Sequence, residues 1–298
     1  MEYIKQNFSI KDLENLSGIK AHTIRIWEKR YNVLSPERTS TNIRTYDNSD
    51  LQKILNISFL NENGYKISRI SKLDEEEINK MVRSITTSSS HQNRALNNLK
   101  IAMLDFNEDL FEKTYKELSA TRSFREIFQE VFLPFLEQIG LLWQTDTIKP
   151  IHEHFIVDLI KQKVYLNLAQ AKEEKKPEGE ELYVLFLPQN EIHDIGILYL
   201  YYELLYHNKN TMYLGPSLPL SDLHYLIRIH DDVKFISYFS IAPIEVEDFI
   251  AEFQRELCQE KPRPLLLFGR RTQNIDASNL PQNVTVYKTI PAFIQTLI

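Results

Sequence analysis

The sequence predicts a multi-domain protein: an all-α winged helix-turn-helix end, then a four-helix bundle, then an α/β domain built on a five-stranded parallel sheet. Three observations carry this. Apolar residues recur at helical spacing through residues 8–73, divided by short turns containing Gly18 and Gly64. From about Leu96 to Ala171 the pattern stays helical and nearly free of glycine. Beyond the charged stretch Lys172 to Glu181, apolar runs of strand length alternate with helical ones, the pattern of a doubly wound sheet.

Composition sets the outer limits. A chain of 298 residues, 43% hydrophobic and 26% charged, can build two or three proper cores, so intrinsic disorder is excluded as its theme. No apolar run reaches the roughly 18 residues a membrane helix needs, and MEYIKQNFSI lacks the regions of a signal peptide, so a cytoplasmic protein without a membrane partner is expected. The lone Cys258 has no cysteine partner for a disulfide or a zinc site and is read as a core residue. The net charge of −6 is uneven: residues 1–73 carry 12 Lys and Arg against 8 Asp and Glu, leaving −10 for the remainder. A basic first domain suits a phosphate backbone.

In the first domain, residues 1–75, Phe8, Ile10, Leu13, Leu16 and Ile19 recur at helical spacing, with Ser9 placed to cap the helix and Ser17-Gly18 to interrupt it. A second helix, Ala21 to Tyr31, follows at once. Ile24, Trp27 and Tyr31 lie on one face of it and are expected to pack. Helix, short glycine turn, helix is the pattern whose second helix enters the major groove of DNA. Lys20, Arg25, Lys29, Arg30, Arg38 and Arg44 stand here against only Glu28 and Glu37.

Together with the following VLSPERTSTNIRTYDNSDL, this stretch resembles the MerR family of transcriptional regulators over about 70 residues. The resemblance implies a reader helix, a wing rich in Arg and Thr, and a further helix opened by Asp47 or Ser49. It puts Thr23 and Arg25 on bases or phosphates, and Arg30, Arg38 and Arg44 on backbone phosphates, with Tyr46 adding a phosphate hydrogen bond; Lys20 and Lys29 are counted with them as DNA-binding residues. Where typical members have Gly-Tyr-Arg in the wing, this chain has Asn42-Ile43-Arg44. The family usually continues in a long dimerisation helix. Here DEEEINKMVRSITTSSSHQNRAL is polar and is read as a linker over residues 76–95, so self-association is expected from residues 92–298.

The bundle is expected over residues 96–175, with breaks at Asp105 to Glu108, Thr121 to Ser123 and Thr145 to Pro150. Trp143 is followed by nine residues and then Glu153-His154. That spacing resembles the helical domain of the light-sensing, cobalamin-dependent members of the MerR family, the CarH and LitR group. By that resemblance Trp143 packs over the adenosyl face of the cofactor, Glu153 contacts the adenosyl group, and His154 replaces it on cobalt after photolysis. Taken alone, Trp143 is a buried aromatic at a helix end. His152 and His154 point about 200° apart on a helix and cannot chelate one metal ion together.

Over residues 176–298, strands are predicted at Leu182 to Leu187, Thr211 to Leu214, Val233 to Phe239, Pro264 to Phe268 and Val284 to Tyr287, a flavodoxin-like order of elements. The stretch ELYVLFLPQNEIHDIG, Glu181 to Gly196, reads as strand, loop, helix. It places His193 at the carboxyl end of a strand, where open α/β sheets bind ligands. Glu191, His193 and Gly196 repeat an E-x-H-x-x-G spacing that resembles the cobalamin-binding motif, whose histidine is the lower axial ligand of cobalt. The resemblance implies a cobalamin-binding-like domain with the nucleotide tail in a slot walled by Gly196, Gly215, Ser237 and Gly269. Phe268-Gly269-Arg270-Arg271 stands where the family has two adjacent glycines.

The expected function is a DNA-binding transcriptional regulator, a repressor, that holds operator DNA in the dark under control of adenosylcobalamin and light. An enzyme is not expected: no stretch could build the roughly 250-residue barrel of a mutase beside the other domains. The alternative keeps the DNA-binding end and makes the rest a cofactor-free module for dimerisation or a partner protein. A third reading has Arg270 and Arg271 bind an anion or nucleotide.

Overall fold

The computed structural model describes residues 8–39, 42–84, 88–144, 148–174, 176, 178–240 and 245–297. The chain packs as two units, Met1–Ile160 and Lys161–Ile298.

The first unit opens with α1 (Ile10–Ser17), which Ser9 and Asp12 cap reciprocally: each side chain accepts from the other's backbone N–H. Gly18 ends it in the left-handed region, φ 75, and its N–H donates to Glu14 O. After the turn comes α2 (Ala21–Tyr31), with Ile24 and Trp27 buried as their spacing predicts and Tyr31 half-buried. The wing is the antiparallel pair β1 (Glu37–Arg38) and β2 (Arg44–Thr45). Asn42, at φ 64, takes the left-handed turn position where the family carries glycine, a conformation Asn tolerates better than most residues. Asp47 opens α3 (Asn48–Glu62) through a second reciprocal cap with Asp50, and α4 (Ile67–Ile70) and α5 (Glu75–Ser84) follow.

The linker expected over residues 76–95 is helical wherever it is described. Helix α5 packs on α3: Ile78 and Val82, four residues apart, are buried, and Asn56 Nδ2 donates to Asn79 Oδ1 at 2.9 Å. Beyond residues 85–87, part of the Ser/Thr run and outside the described residues, α6 (Ser88–Leu104) begins the bundle. A polar composition concealed an apolar pair at helical spacing.

The bundle continues through α7 (Glu108–Ser119), α8 (Phe124–Ile127), α9 (Leu133–Gln144) and α10 (Pro150–Glu174). The first two breaks fall where expected, and of the third, residues 145–147 lie outside the described residues. A π-helical turn, Phe128–Phe132, joins α8 to α9. Its cause is Pro134, which has no N–H to give Glu130 O four residues back. The side chain of Gln92 on α6 supplies the missing donor to that carbonyl.

Helix α6 also grips the DNA-binding end. Lys100 Nζ donates to Leu16 O, at the last turn of α1, at 2.9 Å, and Asn97 Nδ2 donates to Leu55 O of α3. Burial pulls the Lys100 amine down to about 8 from 10.5, against the partial support of Glu62. Between those values the unfolded chain binds more protons than the folded one, so the contribution of Lys100 to stability rises with pH. We therefore expect wild type to gain on the order of 1–3 kcal/mol over Lys100→Met between pH 8 and 10.5 in urea denaturation. A pH-independent difference would place this amine in water.

The second unit is a five-stranded parallel sheet of order β4-β3-β5-β6-β7, made of β3 (Glu178–Pro188), β4 (Lys209–Leu218), β5 (Val233–Tyr238), β6 (Leu265–Phe268) and β7 (Val284–Val286). All five expected strands are present, in the flavodoxin-like order. The charged linker is shorter than expected, since α10 runs to Glu174 and β3 starts at Glu178. Four helices follow strands: α11 (Ile195–Tyr206), α12 (His224–Ile229), α13 (Val246–Leu257) and α14 (Ile290–Ile294). Phe186, Phe235 and Phe239 share one sheet face and pack with Phe249 and Phe253 of α13. Cys258 is half-buried at the edge of this core. Among the described residues no helix is long and apolar enough to cross a membrane.

Candidate functional site

On the DNA-binding end, Arg25, Lys29, Arg30 and Arg38 are exposed, Thr23 is half-buried, and Lys20 is exposed with an ion pair to Glu14. They make a basic face over α2 and the wing. Arg38 Nη1 also donates to Asn42 Oδ1 at 2.7 Å, which ties it to the wing turn.

One expected phosphate contact, Tyr46, is corrected, and Arg44 has a second role. Tyr46 is fully buried, and its hydroxyl donates to Glu28 Oε1 at 2.5 Å. Burial first, and then the Glu28 carboxylate, push the phenol well above its ordinary value. A buried donor already committed to a carboxylate does not reach a phosphate. Arg44 Nε donates to the same carboxylate, at Oε2, 3.2 Å away, so Arg44 braces the wing against the reader helix. Glu28 is the residue the sequence reading missed. It was counted only as a charge against the basic residues, while its i+4 place after Ile24 was the signal that it turns inward.

Predictions for this face separate packing from binding. Tyr46→Phe should cost about 1–3 kcal/mol of stability in denaturation and leave the DNA affinity of the folded protein unchanged; a weaker affinity for all sequences alike at a temperature where the variant is fully folded would restore it as a phosphate contact. Arg25→Ala should weaken operator binding by about 1–3 kcal/mol and relax sequence preference, whereas Arg38→Ala should weaken all sequences alike. Unchanged operator affinity of Arg25→Ala at matched salt would remove α2 from the reader role.

The second candidate lies at the carboxyl end of β3. Asn190, in the left-handed region at φ 68, turns the chain, and Ser217 Oγ at the end of β4 accepts from its N–H. Glu191 is then fully buried. Its Oε1 accepts from the N–H groups of Ile192 and His193, both at 3.0 Å, and from His193 Nδ1 at 2.6 Å, while Oε2 accepts from Ser240 N at 2.9 Å. The carboxylate fixes the tautomer: a proton on Nδ1 leaves Nε2 as the nitrogen an incoming metal would meet. Ile192 is 66% exposed and the His193 side chain 40%, so an apolar group and an imidazole stand out together at the strand end. Asp194, before α11, is held by Lys161 at 2.9 Å.

Of the residues assigned to the slot, Gly196, Ser237 and Gly269 are taken up by the chain itself, and Gly215 is not. A Cβ at Gly196 would lie 2.5 Å from Cζ of Tyr238, so the tyrosine ring sits directly on this glycine. A Cβ at Gly269, whose φ is 107, would meet Phe239 O at 2.2 Å; this glycine serves a close approach of two backbone segments. Ser237 is fully buried and donates to Phe186 O. Gly215 stands at a shift of strand pairing between Leu185 and Phe186, with nothing near its Cβ position. Phe268 is stacked on Tyr287 and packed edge-on against Phe293. Arg270 is exposed, and Arg271 pairs with Glu245 at 2.8 Å. These residues fit a metal-bound imidazole and, as arranged, leave no room for a nucleotide tail beside Gly196.

The helical candidates lie in the first unit. Glu153 is half-buried and His154 exposed in the first turn of α10, while Trp143 is in α9 with a side chain outside the described residues. His152 is buried, stacks on Phe106, and accepts from Lys149 N–H at Nδ1, a helix-capping role. The spacing read from the sequence thus puts Glu153 and His154 on one turn, with only the histidine fully outward.

Comparison with known proteins bears on the DNA-binding end and on the helical bundle. Residues 8–77 match the MerR HTH family regulatory protein, and residues 95–166 match the B12 binding domain. The chain is similar to the HTH-type transcriptional repressor CarH of Myxococcus xanthus, 24% identical over 268 residues, which is 88% of this chain and 87% of that one. Over 70 residues it is 30% identical to the HTH-type transcriptional regulator MlrA of Escherichia coli (strain K12), covering 24% of this chain and 29% of that one. The Methanosarcina barkeri monomethylamine corrinoid protein shares its fold over 69% of this chain and 97% of that chain, with a TM-score of 0.50 at 14% identity. The chain is therefore a DNA-binding transcriptional regulator, and not an enzyme, that joins a MerR helix-turn-helix domain to a B12-binding domain.

Proposed function

We propose that this regulator is a repressor whose hold on double-stranded operator DNA is set by a corrinoid bound at His193, in the adenosyl form and with light as the signal, in the cytoplasm. The observation that carries the reading is the Glu191–His193 unit: a fully buried carboxylate orients an outward imidazole at the carboxyl end of a sheet strand. When bound, the group supplies a light-sensitive cobalt–carbon bond. The chain's own residues do the rest. Glu191 holds the tautomer and position of the imidazole, Ile192 offers an apolar surface beside it, and the basic face of α2 and the wing binds DNA. Trp143, Glu153 and His154 are assigned to the adenosyl group by the resemblance alone. Self-association through residues 92–298 would supply the second half-site that an operator of two-fold symmetry needs.

A second reading has a specific observation in its favour. Because Tyr238 lies on Gly196, residues beyond 95 would bind no corrinoid and serve self-association or a partner protein. One experiment separates the two. Wild-type protein dialysed in the dark against excess adenosylcobalamin, or against the same corrinoid without its nucleotide, should retain visible absorbance. His193→Ala should lose at least about tenfold in affinity, as expected for loss of an axial anchor. Wild type that stays colourless with both compounds while still binding DNA would overturn the corrinoid reading in favour of the second.

A further inference from the structure

The aromatic side of the sheet points to which corrinoid this site takes. Successive residues of a strand face opposite sides, so Tyr238 lies on the face opposite Phe235 and Phe239, which belong to the α13 core. Tyr238 pairs in register with Phe268 on β6, so both residues stand on that face of the sheet. Phe268, Tyr287 and Phe293 form a closed set of three ring contacts at 5.1–5.3 Å. The outer edge of the Tyr238 ring, Cζ and both Cε atoms, lies 2.5–2.9 Å from where a Cβ of residue 196 would be. The space beside Gly196, at the start of α11, is thus filled by the Tyr238 ring. His193, three residues before Gly196, is exposed.

Resting on the corrinoid reading above, we propose that this site selects corrinoids lacking the nucleotide tail, with Tyr238 as the residue that excludes the tail. The imidazole of His193 meets the metal face of the ligand, which needs no space inside the domain. A nucleotide tail entering beside Gly196 must first move the Tyr238 ring. That ring is the far end of a side chain with two torsions, so it is able to swing, but leaving its place uncovers Gly196. Tail-free ligands are spared this. Bulk at position 238, rather than the hydroxyl, does the excluding.

The test measures binding of diaquocobinamide, which has no nucleotide, and of aquocobalamin, which has one, to the full-length protein by visible absorbance and equilibrium dialysis. Because the tail of free cobalamin competes for the metal by itself, the decisive quantity is the change in the ratio of the two affinities between variants. Tyr238→Ala should raise affinity for aquocobalamin by at least about tenfold and change that for diaquocobinamide by less than about threefold. Tyr238→Phe should keep the wild-type ratio. If Tyr238→Ala does not fold, Tyr238→Leu carries the same comparison, with DNA binding as the check of folding. An unchanged ratio in the smaller variants, with both corrinoids bound in a His193-dependent way, overturns the selectivity and leaves the corrinoid reading standing. Binding of neither compound by wild type or any variant overturns that reading and the selectivity with it.

Discussion

One buried carboxylate organises the candidate ligand site. Glu191 is fully enclosed, and a charged group in that position persists only if its oxygens are satisfied. Three backbone N–H groups and the His193 ring supply the donors. Two of those backbone groups belong to the loop itself and one, Ser240, to the end of β5's extension, so the same interaction fixes the loop, joins two strand ends and aims the imidazole. Replacing Glu191 would leave four donors of the loop and of Ser240 without their common acceptor.

A parallel arrangement holds the DNA-binding end. Glu28 accepts from Tyr46 at one oxygen and from Arg44 at the other, joining reader helix, wing and the strand-like bridge between Phe8 and Tyr46. In both places an acid was the structural centre, and in both the neighbouring cationic or imidazole group drew attention first. A carboxylate can accept several hydrogen bonds at once, so a single one can set the geometry of several donors around it.

The legibility of the sequence follows from this. Periodic features were readable because they repeat: the capped helices of the first domain, the five strands, and the four bundle segments each present several residues that agree. Residues 76–84 were misread because polar composition was weighed above the spacing of Ile78 and Val82. Tyr46 was misread because a tyrosine in a basic wing looks like a phosphate donor, and only the fold shows that it points inward to Glu28. The slot was the least legible part. Its motif positions, Gly196, Ser237 and Gly269, are each recognisable, but what fills the space is Tyr238, the unmarked position between Ser237 and Phe239. A motif names the positions a family uses and is silent about the residue between them.

Regulation further requires that a change in the bundle reach the reader helix, and α6 is the element that meets that requirement within the first unit. It gives Lys100 to Leu16 O of α1 and Asn97 to Leu55 O of α3, and it takes the Glu130 carbonyl that Pro134 leaves without a donor. The same helix therefore donates to the last turn of α1 and to the π-turn of the bundle. A ligand shifts an equilibrium only by its difference in affinity for two arrangements. Gln92, which meets the π-turn, and Lys100, which meets Leu16 O, stand eight residues apart on the same helix. Under the function proposed above, a ligand on the bundle would act on DNA to the extent that it favours one position of α6 against α1 over another.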